Sequence, residues 1–196
     1  MFVKTDQRKG NDMRIIAGTA RSMPLKTIGG RDTRPTTDRI KETLFNIIQA
    51  EIPGCVFLDL FAGSGGIGLE AVSRGASKAV FVENSRKAAA CIQENISFTG
   101  FQSFCDLKCM DFLAALRTLE RRYVFDVVFM DPPYGKGYAE KALDYLKDSG
   151  VINQQTLIIL EESESFDTGQ LSGRGFVIER IKRYKTNQHI FMRREN

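Results

Sequence analysis

The chain has 196 residues, of which 42% are hydrophobic and 27% are charged, and its formal net charge at pH 7 is +4. This composition predicts one globular domain with a sizeable core and excludes wholesale disorder. No apolar run approaches the ~18 residues that a membrane-spanning helix needs, and the first residues contain no apolar stretch typical of a signal peptide. We therefore expect a cytoplasmic protein that does not contact a membrane, and nothing in the sequence requires more than a monomer.

The positive charge is concentrated near the N-terminus. Residues 1–50 carry ten Lys or Arg and five Asp or Glu, a net of +5, whereas residues 51–196 carry eighteen basic and nineteen acidic residues, a net of −1. This bias favours contact with the phosphate backbone of a nucleic acid, the alternative being a solvated basic tail. Two further basic clusters, Arg121 with Arg122 and residues 180–185, cannot be assigned to a partner from the sequence.

The cysteines and the histidine do not predict a metal site. The four cysteines show no CxxC spacing, and the single histidine, His189, is distant from all of them in the sequence. A zinc site takes about four ligands, usually at closer spacing. We expect free thiols in a reducing compartment, and Cys–His catalysis has little support.

Before residue 51 the sequence predicts a small hairpin and one helix. Residues 14–17 and 25–28 are short strand candidates around a turn-rich middle. After a loop over residues 29–36, Thr36 or Thr37 can cap a helix that runs to about residue 50. Apolar residues recur at helical spacing in this segment, so one helix face is expected to be buried.

From residue 56 onward the pattern changes to alternating strands and helices. The predicted strands cover residues 56–61, 79–82, 105–109, 125–130, 156–160, 176–184 and 188–193, and the predicted helices cover residues 66–74, 85–98, 112–121 and 138–149. Strands that are apolar throughout and alternate with helices predict an α/β fold with a mostly parallel sheet covered on both faces. The last two strands have no helix between them and predict an antiparallel hairpin at one edge. The predicted organisation is thus a disordered extension (1–12), a hairpin and helix (13–50) and an α/β domain (51–196).

A glycine-rich loop follows the first strand of the α/β domain. It contains GxGxxG at Gly63, Gly65 and Gly68, between a predicted strand and a predicted helix, where glycines let a ligand approach the backbone. Glu83 lies twenty residues after Gly63, at the end of the next strand. A carboxylate there can accept hydrogen bonds from both ribose hydroxyls of a nucleoside. The motif therefore indicates a nucleoside-containing cofactor, the alternative being a tight turn without a ligand.

Acidic residues favour one cofactor over another. Asp59 precedes the first glycine by four residues; its charge would oppose the pyrophosphate of NAD but suits a cation. S-adenosylmethionine carries a sulfonium and an α-amino group, so the sequence favours it. Asp111 follows the third strand and can either accept a hydrogen bond from the adenine amine or cap the next helix, and both roles are compatible.

The motif Asp131-Pro132-Pro133-Tyr134 directly follows a predicted apolar strand. An exocyclic amine on a base is a poor nucleophile because its lone pair is delocalised into the ring. The Asp131 carboxylate and the Pro132 carbonyl can accept hydrogen bonds from both amine protons, and the Tyr134 ring offers a stacking surface. The motif thus indicates transfer of a methyl group to an amine, by positioning and electrostatics.

Residues 57–68 together with 131–134 resemble the amino-methyltransferases of the Class I fold. The segments 34–46, beginning Arg34-Pro35-Thr36, and 13–18, Met13-Arg-Ile-Ile-Ala-Gly18, resemble the RsmD-like family, which methylates N2 of a guanine in small-subunit ribosomal RNA. The resemblance covers residues 13–194. It implies a Rossmann-like Class I methyltransferase sheet of seven strands, and as partner the 16S rRNA, in the small subunit or in an assembly intermediate.

The resemblance also implies roles for individual residues. The cofactor residues would be Asp59, Phe61, Ala62, Gly63, Gly65, Gly68, Glu83 and Asp111, the catalytic residues Asp131, Pro132 and Tyr134, and the N-terminal residues near the RNA entrance Arg34, Thr36 and Arg39. A solvated basic helix face explains Arg39 equally well.

Other functions remain open at this point. The DPPY motif is shared with adenine-N6 and cytosine-N4 enzymes, so an adenine-N6 methyltransferase on RNA or DNA is the main alternative. Glutamine-N5 methyltransferases usually carry Asn where Asp131 stands. A silent RNA-binding module of the same fold is disfavoured by the intact motifs, and an NAD oxidoreductase is disfavoured by Asp59.

Overall fold

The computed structural model describes residues 13–28 and 38–195. The predicted extension over residues 1–12 and the predicted loop over residues 29–36 lie outside the described residues, and Arg34 and Thr36 lie outside them too. Within these described ranges, no helix combines the length and the apolar character needed to span a membrane.

Five α-helices and seven strands follow one another in the described part of the chain. The helices are α1 (Asp38–Ile47), α2 (Gly66–Ser73), α3 (Arg86–Thr99), α4 (Phe112–Leu119) and α5 (Tyr138–Lys147). The strands are β1 (Val56–Asp59), β2 (Lys78–Glu83), β3 (Cys105–Cys109), β4 (Val127–Met130), β5 (Leu157–Ser163), β6 (Phe176–Arg183) and β7 (Asn187–Arg194). The predicted alternation of strands and helices is confirmed.

The seven strands form one sheet in the order β3-β2-β1-β4-β5-β7-β6. Strands β1 to β5 pair in parallel, whereas β7 pairs antiparallel with both β5 and β6. The predicted mostly parallel sheet with a C-terminal antiparallel hairpin is therefore confirmed. This topology is that of the Class I methyltransferase fold.

Two apolar layers hold the helices on the sheet. On one face, α1, α2, α3 and residues 13–28 pack on side chains such as Phe57 and Phe81. On the other face, α4 and α5 pack on side chains such as Leu58 and Val128. Because side chains alternate across a strand, both faces of each central strand are apolar, which explains the continuous apolar runs in the sequence.

The predicted N-terminal hairpin is present, but without regular strands. Residues 13–15 lie antiparallel to residues 22–25 around one bridge, between Arg14 and Pro24, and the Ile15 and Leu25 N–H groups donate to the Met23 and Met13 carbonyls at 3.0 and 2.7 Å. The strands predicted over residues 14–17 and 25–28 are therefore wrong in their bounds. The physical reason lies in α2, where the buried Glu70 carboxylate accepts hydrogen bonds from the N–H groups of Ile16 and Ala17, at 2.7 and 3.0 Å. Backbone donors that bind a carboxylate do not pair with a second strand.

Four helices end earlier than predicted, among them α2, which ends at Ser73 rather than at residue 74, and α5, which ends at Lys147 rather than at residue 149. α1 ends at Ile47 rather than near residue 50, and the chain continues in a turn in which the Glu51 N–H donates to the Ile48 carbonyl at 2.9 Å. α4 ends at Leu119 rather than at residue 121. Arg121 has a φ of 62°, a left-handed conformation that cannot continue a right-handed helix.

Candidate active site at the carboxyl edge of the sheet

The predicted site residues of the α/β domain gather at one edge of the sheet, where the parallel strands end. β1 and β4 are neighbours, with Asp59 opposite Phe129, and the Leu60 N–H donates to the Phe129 carbonyl at 2.9 Å. Here the strand order reverses, because β2 lies on one side of β1 and β4 on the other. Open α/β sheets bind ligands in the crevice at such a switch point.

The glycine loop forms a tight, open turn. The Gly65 N–H donates to the Ala62 carbonyl at 2.7 Å, and both Gly63 and Gly65 have positive φ. A Cβ atom added at Gly63 would meet nothing within 4 Å, so the space above the loop is open. At Gly68, a Cβ atom would lie 2.3 Å from Cε1 of Phe81. The third glycine is therefore required for α2 to pack against β2.

Asp59 lies beneath the loop. Asp59 is 1% exposed, and its carboxylate accepts a hydrogen bond from the Gly68 N–H at 2.9 Å. Burial raises the pKa of Asp59 to about 7, against the lowering effect of the Gly68 hydrogen bond and with a further increase from Glu83. The carboxyl thus ties the first turn of α2 to β1, and direct contact between Asp59 and a cationic ligand stays a prediction.

Replacing Asp59 with Asn should stabilise the protein at neutral pH. The folded carboxyl, with a pKa of about 7, keeps a proton that the unfolded chain loses above its ordinary pKa of 3.8. Stability therefore falls as pH rises between these values. Asn keeps an acceptor for the Gly68 N–H without the charge. In urea titrations, the unfolding free energy of the variant relative to wild type should increase by ~2–4 kcal/mol from about pH 4 to pH 8. A constant difference would contradict the buried carboxyl.

Glu83 ends β2 beside the glycine loop. One carboxylate oxygen accepts the Gly63 N–H at 2.9 Å and the other accepts the Ser85 N–H at 2.8 Å. A carboxylate has about four acceptor positions, so each oxygen can also accept a hydroxyl. Glu83 is half-buried at the open edge and keeps free acceptor positions there, and its contact with a ribose stays a prediction.

Asp111 and three aromatic rings form the neighbouring wall. The Asp111 carboxylate caps α4, with one oxygen accepting from the N–H groups of Leu113 and Ala114 at 3.0 and 3.1 Å. The Phe61 and Phe112 ring centroids are 5.0 Å apart, and the Phe61 ring is parallel to that of Tyr138 at 6.4 Å. Of the two predicted roles of Asp111, the helix cap is therefore confirmed and the adenine contact stays a prediction.

The Asp131 motif lies directly after β4. Asp131 is half-buried, Pro132 is buried, and Tyr134 is 41% exposed at the rim. Burial raises the pKa of Asp131 well above its ordinary value, and the negative charges of Glu161, Asp59 and Glu162 raise it further. A carboxyl with a raised pKa binds a proton more readily than an exposed Asp does.

Sequence reasoning missed a buried polar cluster behind Asp131. Glu161 on β5 lies opposite His189 on β7, with 2.9 Å between the Glu161 carboxylate and Nε2 of His189. Nδ2 of Asn187 donates to the other Glu161 oxygen at 2.5 Å, and the Tyr184 hydroxyl is 3.3 Å from Nδ1 of His189. The cluster fixes the start of β7 beside the strand that follows the motif. No local pattern reveals it, because its members come from β5, from β7 and from the turn before β7.

Asn95 was also missed, and it connects three segments. Its side-chain nitrogen donates to the carbonyls of Ser64 and Lys26, both at 3.0 Å, and its oxygen accepts the Lys26 N–H at 2.8 Å. Asn95 is 1% exposed on α3. It therefore holds the glycine loop against the N-terminal segment.

Glu70 anchors the same N-terminal segment from the other side. Besides the N–H groups of Ile16 and Ala17, its carboxylate contacts Nζ of Lys41 at 3.3 Å and Nε of Arg74 at 2.7 Å. The Glu70 and Lys41 residues are 0% and 1% exposed. Burial lowers the pKa of Lys41, and Glu70 partly opposes this decrease. The cluster is a buried charge network in which each partner depends on the others.

Arg39 is exposed in the first turn of α1. The adjacent Asp38 pairs with Arg14 at 2.8 Å. Met13, next to Arg14, packs over Gly66, where an added Cβ atom would lie 2.2 Å from the Met13 sulfur. The start of α1 therefore lies on the same side of the molecule as the glycine loop, and an RNA contact by Arg39 stays a prediction.

The chain is similar to known proteins over most of its length. A family profile described as conserved hypothetical protein 95 matches residues 13–193. The ribosomal RNA small subunit methyltransferase D of Haemophilus influenzae is 36% identical over 163 residues, 81% of this chain and 82% of that protein. The Escherichia coli protein of the same name is 35% identical over 160 residues, 81% of this chain and 78% of that protein.

Solved structures give the same result for the fold. The Escherichia coli protein yhhF, described as a candidate methyltransferase, superposes with a TM-score of 0.80 at 30% identity, over 94% of this chain and 98% of that chain. A Thermus thermophilus protein described as hypothetical superposes with a TM-score of 0.75 at 26% identity, over 91% and 97% of the two chains. The chain therefore belongs to the conserved hypothetical protein 95 family, the RsmD family that its motifs resemble.

Proposed function

We propose that the chain is an S-adenosylmethionine-dependent methyltransferase that methylates the exocyclic N2 amine of one guanine in 16S rRNA. The observation that carries this proposal is the adjacency of β1 and β4. This adjacency brings the glycine loop next to Asp131-Pro132-Pro133-Tyr134, so a cofactor and an amine can meet at one edge of the sheet.

The residues at the edge fit S-adenosylmethionine. The space above Gly63 is open, and both Glu83 oxygens retain acceptor capacity for ribose hydroxyls. The ring cluster of Phe61, Phe112 and Tyr138 offers an apolar wall for a base. When bound there, the cofactor would supply an electrophilic methyl group on a sulfonium.

The residues of this chain would act on the amine. The Asp131 carboxylate and the Pro132 carbonyl accept hydrogen bonds from its two protons, which directs the nitrogen lone pair toward the methyl group. The Tyr134 ring stacks on the base and orients it. The amine would lose one proton on methylation, and an Asp131 oxygen would accept that proton.

The rRNA substrate is supported by the names of the relatives in Haemophilus influenzae and Escherichia coli, both described as ribosomal RNA small subunit methyltransferases. Selection of the guanine N2 amine is supported by the resemblance of residues 13–18 and of residues 34–46, which include Arg39, to the RsmD-like family. We propose that residues 13–50, including Arg34 and Thr36, face the RNA and that residues 51–196 form the catalytic domain.

The proposal is tested by transfer of a labelled methyl group to small ribosomal subunits from cells that lack the modification. The rRNA is then digested to nucleosides and separated by chromatography. Label in N2-methylguanosine would support the proposal. Label in N6-methyladenosine would replace guanine with adenine as substrate, and no label despite normal cofactor binding would identify a silent binding module or a different substrate.

Substituting Glu83 should weaken the binding of the cofactor and leave the affinity for RNA unchanged. In Glu83→Gln, one of the two backbone N–H groups now bound by the carboxylate loses its acceptor, and the charge that would face the ribose is lost. We expect S-adenosylmethionine affinity, measured by calorimetry, to fall roughly 10- to 100-fold. Glu94→Gln, which removes an exposed carboxylate from α3, is the control. Equal cofactor affinity in wild type and Glu83→Gln would remove Glu83 from the site.

A further inference from the structure

The two basic clusters that the sequence left unassigned lie at opposite edges of the sheet, that is, at opposite ends of its strands. β7 runs antiparallel to β5, with Asn187 opposite Ser163, so the turn between β6 and β7 lies where β5 ends. This is the edge that carries the Asp131 motif, because β4 and β5 are parallel neighbours. The end of β6 and this turn contain three cationic residues, Lys182, Arg183 and Lys185, which we call the hairpin basic surface.

Arg121 and Arg122 lie at the other edge. They follow α4, which begins at the carboxyl edge behind its cap Asp111 and runs back along the sheet. They precede Asp126, whose N–H donates to the carbonyl of Val56, the first residue of β1. Both arginines are exposed. They are as accessible as the hairpin basic surface but are separated from Asp131 by the length of the strands.

The cations of the hairpin basic surface are available for an external anion. All three residues are exposed, and within residues 13–28 and 38–195 none of them forms an ion pair. The acidic residue Glu164 is exposed and lies beside the turn, because its backbone N–H donates to the Thr186 carbonyl at 3.3 Å. Residues 182–187 contain these three cations and no carboxylate, so the turn itself is positively charged.

Charged side chains on an edge strand also prevent edge-to-edge pairing, which is the structural alternative for β6. That role explains cations along the strand but does not require Lys185, which lies in the turn after β6. Nor does it require the turn to be held in place. The concentration of cations at the strand end that meets the candidate site therefore favours a ligand.

The hairpin end is fixed relative to the site. Nε2 of Gln188 donates to the carbonyls of Ser163 and Phe166 at 3.0 and 2.9 Å. Glu161, beside Asp131, binds both Asn187 and His189. Strands β5 and β7 lie between β4 and β6. Three inter-strand steps of about 4.8 Å each therefore put the hairpin basic surface roughly 14 Å from the strand that carries Asp131. A short run of nucleotides beside a target base covers that distance.

We propose that Lys182, Arg183 and Lys185 bind the phosphate backbone of the RNA beside the base that enters the Asp131–Tyr134 site, and that Arg121 and Arg122 do not contact it. This inference rests on the proposed function and adds where the RNA lies on the protein. Phosphate contacts fix register and orientation without reading sequence. The surface would therefore contribute affinity and placement, and the chemistry would remain with Asp131.

Two double variants test the proposal with the same loss of charge. Lys182→Gln with Arg183→Gln removes two cations from the hairpin, and Arg121→Gln with Arg122→Gln removes two from the opposite edge. Binding of unmodified small-subunit rRNA, transcribed in vitro, is measured over a series of salt concentrations. The hairpin variant should lose roughly 10- to 30-fold in affinity near 0.1 M salt, and its salt slope should decrease by about 1.4. Adding Lys185→Gln should lower the slope by about 0.7 more.

Methyl transfer and cofactor binding are measured in parallel. The hairpin variant should raise KM for the RNA by a similar factor, with kcat and S-adenosylmethionine affinity near wild type, whereas the opposite-edge variant should match wild type. Equal losses of RNA affinity in both variants would overturn the proposed role of the hairpin basic surface and leave the proposed function intact. So would an unchanged RNA affinity in a hairpin variant that is still an active enzyme. A loss seen with whole subunits but not with free rRNA would assign the surface to a ribosomal protein and overturn the RNA contact. A wild-type protein that methylates no rRNA would overturn the proposed function and this inference with it.

Discussion

Asp131→Ala should reduce methyl transfer by about 10²–10⁴-fold, because it removes the carboxylate that accepts hydrogen bonds and a proton from the amine. S-adenosylmethionine should still bind, since Gly63 and Glu83, not Asp131, surround the open space of the loop. The measurement is single-turnover methyl transfer to small-subunit rRNA, with calorimetry for the cofactor. Asp148→Ala, which removes an exposed carboxylate at the far end of α5, should retain wild-type activity.

The pH dependence of the rate tests the same role. In the proposed mechanism the carboxylate form of Asp131 is the active form. Burial together with Glu161, Asp59 and Glu162 raises its pKa well above that of an ordinary Asp. The wild-type rate should therefore increase about tenfold per pH unit on the acidic side of that raised pKa and then level off. The Asp131→Asn variant should transfer methyl groups slowly, and its rate should not show this increase with pH. Loss of cofactor binding in either variant would instead assign Asp131 to the cofactor.

Glu70→Ala should be the most destabilising single substitution predicted from the structure. It leaves the buried Lys41 ammonium without its counter-charge and leaves the N–H groups of Ile16 and Ala17 without their acceptor. Breaking a buried ion pair by removing one partner costs about 3–5 kcal/mol, a large fraction of the ~5–15 kcal/mol that stabilises a typical domain. Urea unfolding monitored by circular dichroism measures the loss.

The matched control is Glu94→Ala. Glu94 pairs with Lys26 at 2.5 Å, but the two side chains are 55% and 71% exposed, so this surface pair contributes less than about 1 kcal/mol. Glu70→Gln should lie between the two, because it keeps an acceptor oxygen and loses the charge. If Glu70→Ala and Glu94→Ala unfold at the same urea concentration, the buried network does not hold the N-terminal segment. Should Glu70→Ala fail to fold, Glu70→Gln against Glu94→Gln carries the comparison.

The fold of the α/β domain was predictable because its signals are local. The apolar runs before Asp59 and Asp131 and the helical spacing between them depend on residues a few positions apart. The glycine loop was predictable for the same reason, since the positive φ of Gly63 and Gly65 and the packing of Gly68 are requirements of a strand–turn–helix. The adjacency of the loop and the Asp131 motif then follows from strand order.

The errors and omissions arise where distant residues compete for the same groups. Residues 14–17 have the composition of a strand, but Glu70, more than fifty positions away, accepts the N–H groups of Ile16 and Ala17. A lone histidine suggested no role, yet His189 pairs with Glu161 because β7 returns beside β5. Asp111 could cap a helix or face a base, and only the assembled α4 shows the cap.

The alternation of strands and helices, the glycine loop and the motif at Asp131 can be recognised in the sequence, because backbone conformation and hydrophobic period are encoded over short spans. Which charges share an environment depends instead on how the chain folds. Asp59 and Asp131 have raised pKa values because folding buries them and brings other carboxylates close, and the direction of β7 brings the basic turn to the same edge as Asp131 while Arg121 stays at the other. Burial and electrostatic interaction depend on distance in space, which the order of residues along the chain does not specify.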